Sequence, residues 1–350
     1  MNITKIVEEG LKRVASDIHL TVGVPPTFRI NGELIHYGDH NLTVEESEDL
    51  VRQTLSDQQF STLLERGELD LSYSNPGQAR YRVNAYLQRG SFGMALRIIP
   101  YEIPSMQQLG LPTVISDLAR LPRGLILVTG PTGSGKSTTL ATMIDQINKE
   151  KKCHILTLED PIEYLHKHGK SIVNQREIGN DSKSFAAALR GALRQDPDVI
   201  LVGEMRDLDT ISIAITAAET GHLVLSTLHT LGAAKTIDRV IDVFPPHQQQ
   251  QVRVQLSSVI QAVISQQLLP KADGKGRVAA HEVMIATPAI RNLIREDKVH
   301  QIDSTLQTGS KYRMQTMDAS LVELYKRGLI KKDVAISQAI SQEDIKKYIV

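Results

Sequence analysis

The chain has 350 residues, 41% of them apolar and 23% charged, a balance that excludes a disordered or fibrous protein and leaves length for two separate cores. Its 40 lysines and arginines meet 40 aspartates and glutamates, and aromatic residues make up 4% with no tryptophan, which speaks against a nucleic-acid partner. Cys153 is the single cysteine, so neither an internal disulfide nor a cysteine-cluster zinc site can form. Residues 1–10 mix Lys5 with Glu8 and Glu9 and lack the apolar core of a signal peptide. No apolar run approaches the ~20 residues of a membrane span. The expectation is a cytoplasmic protein with no direct membrane insertion, reaching the inner face of the cell membrane only through partners.

In chain order, Ile3, Ile6, Val7, Leu11 and Val14 share one helical face. An extended stretch at 17–22 follows, then two short strands at 27–30 and 33–35 joined by Asn31-Gly32, a pair suited to turn positions with positive φ. Thr43 and Glu46 form a capping box for one long helix ending near Gly67. Residues 69–74, 79–87 and 92–99 alternate apolar and polar side chains and read as an antiparallel meander. Residues 1–98 are therefore expected as a small α+β domain. Pro100, Pro104 and Pro112 punctuate 99–112, which reads as an interdomain linker.

From residue 113 to 350 the pattern changes. Short apolar runs at 125–129, 153–158, 199–202 and 223–227 alternate with helical segments, the signature of a parallel sheet buried on both faces. The glycine-rich stretch 272–276 separates two further strands, and the chain beyond Pro288 is expected as helix. The glutamines at 248–251 are expected on a helix surface.

Gly130-Pro131-Thr132-Gly133-Ser134-Gly135-Lys136-Ser137 matches a phosphate-binding P-loop, and Thr138 continues it into a helix. The glycines let backbone N–H groups converge on a phosphate, and the helix N-terminus adds partial positive charge. Lys136 reaches the terminal phosphate oxygens and Ser137 can ligate Mg²⁺. Hydrolysis also needs carboxylates. Two clusters follow apolar runs: Glu159 to Glu163 after 155–158, and Glu204 after 199–202 and Gly203. The carboxyl ends of parallel strands form the ligand crevice, so both clusters can meet the loop.

These motifs resemble the secretion ATPase superfamily, over nearly the whole chain. Beside the P-loop, Ile155-Leu156-Thr157-Leu158-Glu159-Asp160-Pro161-Ile162-Glu163-Tyr164 is like its Asp box. Asp198-Val199-Ile200-Leu201-Val202-Gly203-Glu204-Met205-Arg206-Asp207 is like its Walker B segment. Thr220-Gly221-His222-Leu223-Val224-Leu225-Ser226-Thr227-Leu228-His229-Thr230 is like its His box, and Ala15-Ser16-Asp17-Ile18-His19-Leu20 is like its opening strand.

The resemblance implies a homohexameric motor that hydrolyses ATP with Mg²⁺. Its fold would be α/β: a RecA-like P-loop ATPase C-terminal domain with a smaller α+β PAS-like N-terminal domain, nucleotide lying between the two. By resemblance Glu163 is the general base and Glu204 the Walker B acid acting on Mg²⁺ through water. Gly203 displaces that acid by one residue, so the division of roles among Glu159, Glu163 and Glu204 stays open. His222 and His229 flank a strand whose end is expected to face the γ-phosphate. Arg82 and Arg97 are the expected cationic fingers, with Arg80 and Arg89 nearby and Arg190 and Arg194 as further options.

Within the superfamily, Ala289-Ile290-Arg291-Asn292-Leu293-Ile294-Arg295-Glu296 resembles a motif of retraction motors, and the paired CxxC zinc motifs of many assembly ATPases are missing. Both imply type IV pilus retraction and twitching motility, with an inner-membrane pilus platform protein as partner. A pilus-assembly or type II secretion ATPase of the same superfamily is the alternative. A RecA-like nucleic-acid translocase and a non-hydrolysing nucleotide-binding scaffold are alternatives from other classes.

Overall fold

A computed structural model of the chain describes residues 1–30, 32–75, 79–99 and 102–349. It divides into two compact units, Met1–Glu102 and Ile103–Val350. In the first, α1 (Ile3–Lys12) buries Ile3, Ile6 and Val7, and Asn2 caps it. Val14 leaves the expected helical face: it has φ 55°, past the helix end, and is 83% exposed. Then come β1 (Asp17–Leu20), β2 (Thr27–Ile30) and β3 (Glu33–His36). Ile30 pairs with Glu33 and Gly32 has φ 91°, as a two-residue turn requires, while Asn31 lies outside the described residues.

The long helix expected from Thr43 is two: α2 (Val44–Thr54) and α3 (Asp57–Arg66). Leu55 turns extended, and Ser56 opens a second capping box with Gln59. The meander is β4 (Glu68–Asn75), β5 (Ala79–Gln88) and β6 (Ser91–Ile99). Among the described residues these strands form a six-stranded sheet, order β3-β2-β1-β6-β5-β4, with antiparallel pairings. Ala79, Tyr81, Val83 and Ala85 of β5 face a core with Phe28, Leu50 and Leu63, so Arg80 and Arg82 fall on the opposite face.

The expected linker 99–112 spans Pro100 and Tyr101, which lie outside the described residues. Its later part belongs to the second unit, where Leu111 is buried and Met106 and Leu109 pack on the core. That unit runs α4 (Thr113–Ala119), β7 (Gly124–Thr129), α5 (Lys136–Glu150), β8 (His154–Glu159), β9 (Ile172–Glu177), α6 (Phe185–Ala192), β10 (Val199–Val202), α7 (Leu208–Glu219) and β11 (Leu223–Leu228). It continues through α8 (Ala233–Asp242), α9 (Pro246–Val259), β12 (Ile260–Pro270), β13 (Arg277–Ile285), α10 (Pro288–Arg295), α11 (Ile302–Thr308), α12 (Met317–Lys326), α13 (Lys332–Gln338) and α14 (Gln342–Ile345).

Among the described residues the second sheet has seven strands in the order β13-β12-β7-β11-β10-β8-β9. All its pairings are parallel except β12 with β13. β7 shows why the apolar runs are continuous: Leu125 and Leu127 join one core cluster with α6–α9, while Ile126 and Val128 join another with α4 and α5. Each such fully buried side chain contributes roughly 1.5–3 kcal/mol. A smaller cluster of Leu269, Ala280, Leu321 and Ile345 seats the last helices on the β12–β13 hairpin. The glutamines 248–251 lie on α9.

Arg291, on the polar side of α10, is not spent on solvent. Its guanidinium donates to the Ser257 and Ser258 carbonyls at 2.7 and 2.8 Å, to Ala286 O at 3.0 Å and to Gln261 Oε1 at 3.1 Å. The first two lie in the last turn of α9, where a cation and its donors complement unpaired carbonyls.

Candidate functional site

The site grows from the carboxyl end of β7. Thr129 ends that strand, residues 130–135 turn, and α5 begins at Lys136 with Gly135 as its N-cap at φ 90°. No side chain among the described residues caps this 15-residue helix, so its first N–H groups remain available to an anion. Gly130 has φ 142°, and a Cβ there would collide with the Gln266 carbonyl, so glycine is required. Lys136 Nζ donates to the carbonyls of Gly130 at 2.8 Å and Pro131 at 3.0 Å. Burial lowers its ammonium below the usual lysine range, and Glu204 opposes that. Among the described residues the buried Ser134 Oγ has no hydrogen-bond partner, while Pro131, Thr132, Gly133 and Ser137 are exposed. Thr138 Oγ1 and Tyr164 Oη lie 2.9 Å apart, joining α5 to the segment after β8.

Strand order brings the acids in. β11 separates β7 from β10, and β8 lies beyond β10, so the loops after 129, 159, 202 and 228 open at one sheet end. Glu204 binds Arg206 NH2 at 2.7 Å and His229 Nε2 at 3.1 Å. Burial pushes its carboxyl up, but Arg206 and His229 outweigh that and hold it below the usual range, so it is ionised at neutral pH. His229 Nδ1 lies 3.5 Å from Lys136 Nζ. The consistent tautomer has Nε2–H donating to Glu204 and Nδ1 accepting from Lys136.

Glu159 is differently set. It accepts from Thr157 Oγ1 at 2.6 Å, Gln175 Nε2 at 3.2 Å and the Glu163 N–H at 3.4 Å, and burial raises its carboxyl. Among the described residues no hydrogen bond reaches the Glu163 carboxylate, which is half-buried on the same turn. The Asp160-Pro161 peptide within this turn is cis.

His222 does not join this group. It precedes β11, its carbonyl accepts from Gly124 N at the opposite end of the sheet, and its Nδ1 lies 2.8 Å from Ala217 O at the end of α7. At ~3.3 Å per strand residue it stands about 20 Å from His229, too far to sense the same phosphate within one subunit. The pattern of two histidines around one strand hid this, because a strand's two ends are far apart.

Arg82 and Arg97 lie in the first unit, opposite each other on β5 and β6, and Arg97 Nε binds Asp17 Oδ1 at 2.9 Å. Arg190 pairs with Asp209 at 2.9 Å on the surface. The motifs include Tyr164 and Arg206 but give them no role, and their spacing missed Gln175 and Gln266. The last left a trace: Ser265-Gln266-Gln267 puts three buried polar residues in a row in the middle of a mostly apolar strand.

The residues present fit a nucleoside triphosphate with Mg²⁺: an uncapped helix N-terminus, a lysine, an orphaned buried hydroxyl and hard oxygen donors at Ser137 and Glu204.

Known proteins are similar to this chain along most of its length. The profile of the family described as Type II/IV secretion system protein matches residues 1–347. The chain is 52% identical over 339 residues to the Pseudomonas aeruginosa protein named Type IV pilus retractation ATPase PilT, covering 97% of this chain and 98% of that one. It is 50% identical over 320 residues to a Neisseria gonorrhoeae protein named Twitching motility protein, covering 91% and 86%. A crystal structure of the pilus retraction motor PilT with bound ADP superposes with a TM-score of 0.94 at 50% identity, covering 99% of both chains. The chain belongs to the Type II/IV secretion system protein family.

Proposed function

We propose that this chain is the ATPase that drives type IV pilus retraction, and hence twitching motility, as a homohexamer acting on an inner-membrane platform protein. Hydrolysis is carried by one observation: the Lys136–His229–Glu204 chain, which joins the phosphate loop to the acid that follows β10. Retraction is supported by near-full-length likeness to proteins named for that task. No helix among the described residues is long and apolar enough to cross a membrane, consistent with a cytoplasmic motor held at the membrane through partners.

In this reading the N–H groups of 130–135 and of the first turn of α5 hold the phosphates. Lys136 exchanges its loop carbonyls for the β/γ oxygens. Ser137 and, through water, Glu204 would hold Mg²⁺, which would supply charge neutralisation at those oxygens. Glu163 takes the proton of the attacking water, since its carboxylate is uncommitted, whereas Glu159 spends its oxygens positioning that turn. His229 links Lys136 to Glu204 and so reports on the γ-phosphate. Residues 1–98 form the N-terminal domain and 113–350 the ATPase domain, with 99–112 as the linker and hinge. Arg82 and Arg97 take the arginine-finger role, worth ~10³–10⁵ in rate.

The test is deletion of the gene in its host, with surface pili counted by electron microscopy. Retraction predicts that pili accumulate and twitching stops; loss of all surface pili would instead make the chain an assembly ATPase. Turnover stimulated by DNA would favour a translocase.

A further inference from the structure

The phosphate loop is braced from a strand outside its own motif. β12 runs parallel to β7, with Ile264 level with Val128 and Ser265 level with Thr129. The next residue, Gln266, therefore meets the loop where it leaves the sheet. Its side chain is 3% exposed, and an amide so buried costs stability unless both its ends are hydrogen-bonded. Both are. Nε2 donates to the Ser134 carbonyl at 2.5 Å, and Oε1 accepts from Thr139 Oγ1 at 2.8 Å. Ser134 lies within the loop and Thr139 on the first turn of α5, so one side chain ties the loop to the helix that follows it. The Gln266 backbone carbonyl also backs against Gly130, and its Nε2 would lie 2.8 Å from a Cβ placed on Gly135.

This bond has a directional consequence. The Ser134–Gly135 peptide is planar and trans, so its C=O and N–H point to opposite sides. Gln266 holds the carbonyl toward β12, and the Gly135 N–H must then face away from that strand, toward the inside of the loop. Gly135 is free to rotate at φ 90°, a region with no Cβ to restrict it, so without the bond nothing local prevents the peptide from flipping. A flipped peptide would present a carbonyl, not a donor, to a phosphate. We propose that Gln266 is a positioning residue that fixes the Ser134–Gly135 peptide in its phosphate-binding orientation. It touches the loop and not the nucleotide, so its effect falls on binding more than on the chemical step.

The proposal rests on the nucleotide reading of the loop, and its test separates the two. ADP with Mg²⁺ is titrated into the full chain, wild type and Gln266→Met, with melting in the absence of nucleotide measured alongside. Met keeps the length and bulk of the side chain and removes the donor. The expected result is an ADP Kd and an ATP KM each raised about tenfold, with kcat changed less than about threefold. A merely structural residue would lower the melting temperature and leave Kd unmoved. Should Gln266→Met not fold, Gln266→Glu decides. A buried Glu titrates well above its usual range, and only its protonated form can donate to the Ser134 carbonyl. Its ADP affinity relative to wild type should therefore improve between pH 8 and pH 6. Wild-type binding with an unchanged Kd in Gln266→Met, or a Gln266→Glu to wild-type ratio that does not vary with pH, overturns the proposal alone. Absence of ADP binding by the wild type overturns the nucleotide reading itself.

Discussion

His229 stands between Glu204 and Lys136, its Nε2 3.1 Å from the Glu204 carboxylate and its Nδ1 3.5 Å from the Lys136 ammonium. One imidazole thus spans the ends of β7 and β10 from the end of β11, the strand between them. Groups joined in this way act as a unit, and their deletions should not add. Glu204→Gln is expected to lower kcat by about 10²–10³-fold and His229→Ala by about tenfold or more. The double variant should fall short of the product by a coupling of about 1 kcal/mol or more, read from steady-state phosphate release on the four proteins. Strict additivity would dissolve the triad.

Lys136→Ala should abolish turnover, with kcat/KM for ATP down at least about 10³-fold. Burial already disfavours the lysine's charge, so its removal should not lower the melting temperature in the absence of nucleotide. The rise in melting temperature that saturating ADP gives the wild type should vanish. Retained wild-type turnover would mean that the loop is not the hydrolytic site.

A pH effect on stability follows from His281. It is 2% exposed on β13, its Nε2 has no hydrogen-bond partner among the described residues, and burial pushes its pKa from 6.5 down to about 4. The unfolded chain binds this proton more readily, so the contribution is complete above pH 6.5 and is lost as pH falls toward 4. The loss approaches on the order of 3 kcal/mol. Glu159 and Glu282, raised by burial, run the other way, their contributions fading as pH rises through their folded values. Denaturant unfolding at pH 7 and pH 5 should therefore show a smaller difference for His281→Leu than for wild type. Equal differences would remove His281 as the cause.

Arg291→Ala strips the last turn of α9 of its donors and leaves the carbonyls of Ser257 and Ser258 without them. Destabilisation of about 2 kcal/mol or more is expected by denaturant unfolding, with Arg291→Lys recovering part of it. Stability unchanged in Arg291→Ala would show that water replaces the guanidinium at no cost.

How far the residues announced this architecture depends on the kind of interaction. Leu125 to Val128 read as a doubly buried strand because its neighbours along the chain are all apolar, and the glycines after it have meaning in the loop alone. The capping box at Thr43 is legible for the same local reason, whereas the one at Ser56 lies inside an unbroken helical pattern that hides it. β9 was missed because Ile172–Glu177 is a polar edge strand with little apolar signature. His222 and His229 share a motif but sit at opposite ends of β11, and strand direction is not written in composition. Gln266 meets Ser134 across 132 positions of sequence, a contact that no local period encodes.

The most direct test of the whole account is to place Glu204→Gln on the chromosome and image labelled pili on living cells. Pili should extend and persist without retraction events, in cells that no longer twitch. Retraction at wild-type frequency, or a surface without pili, would contradict it.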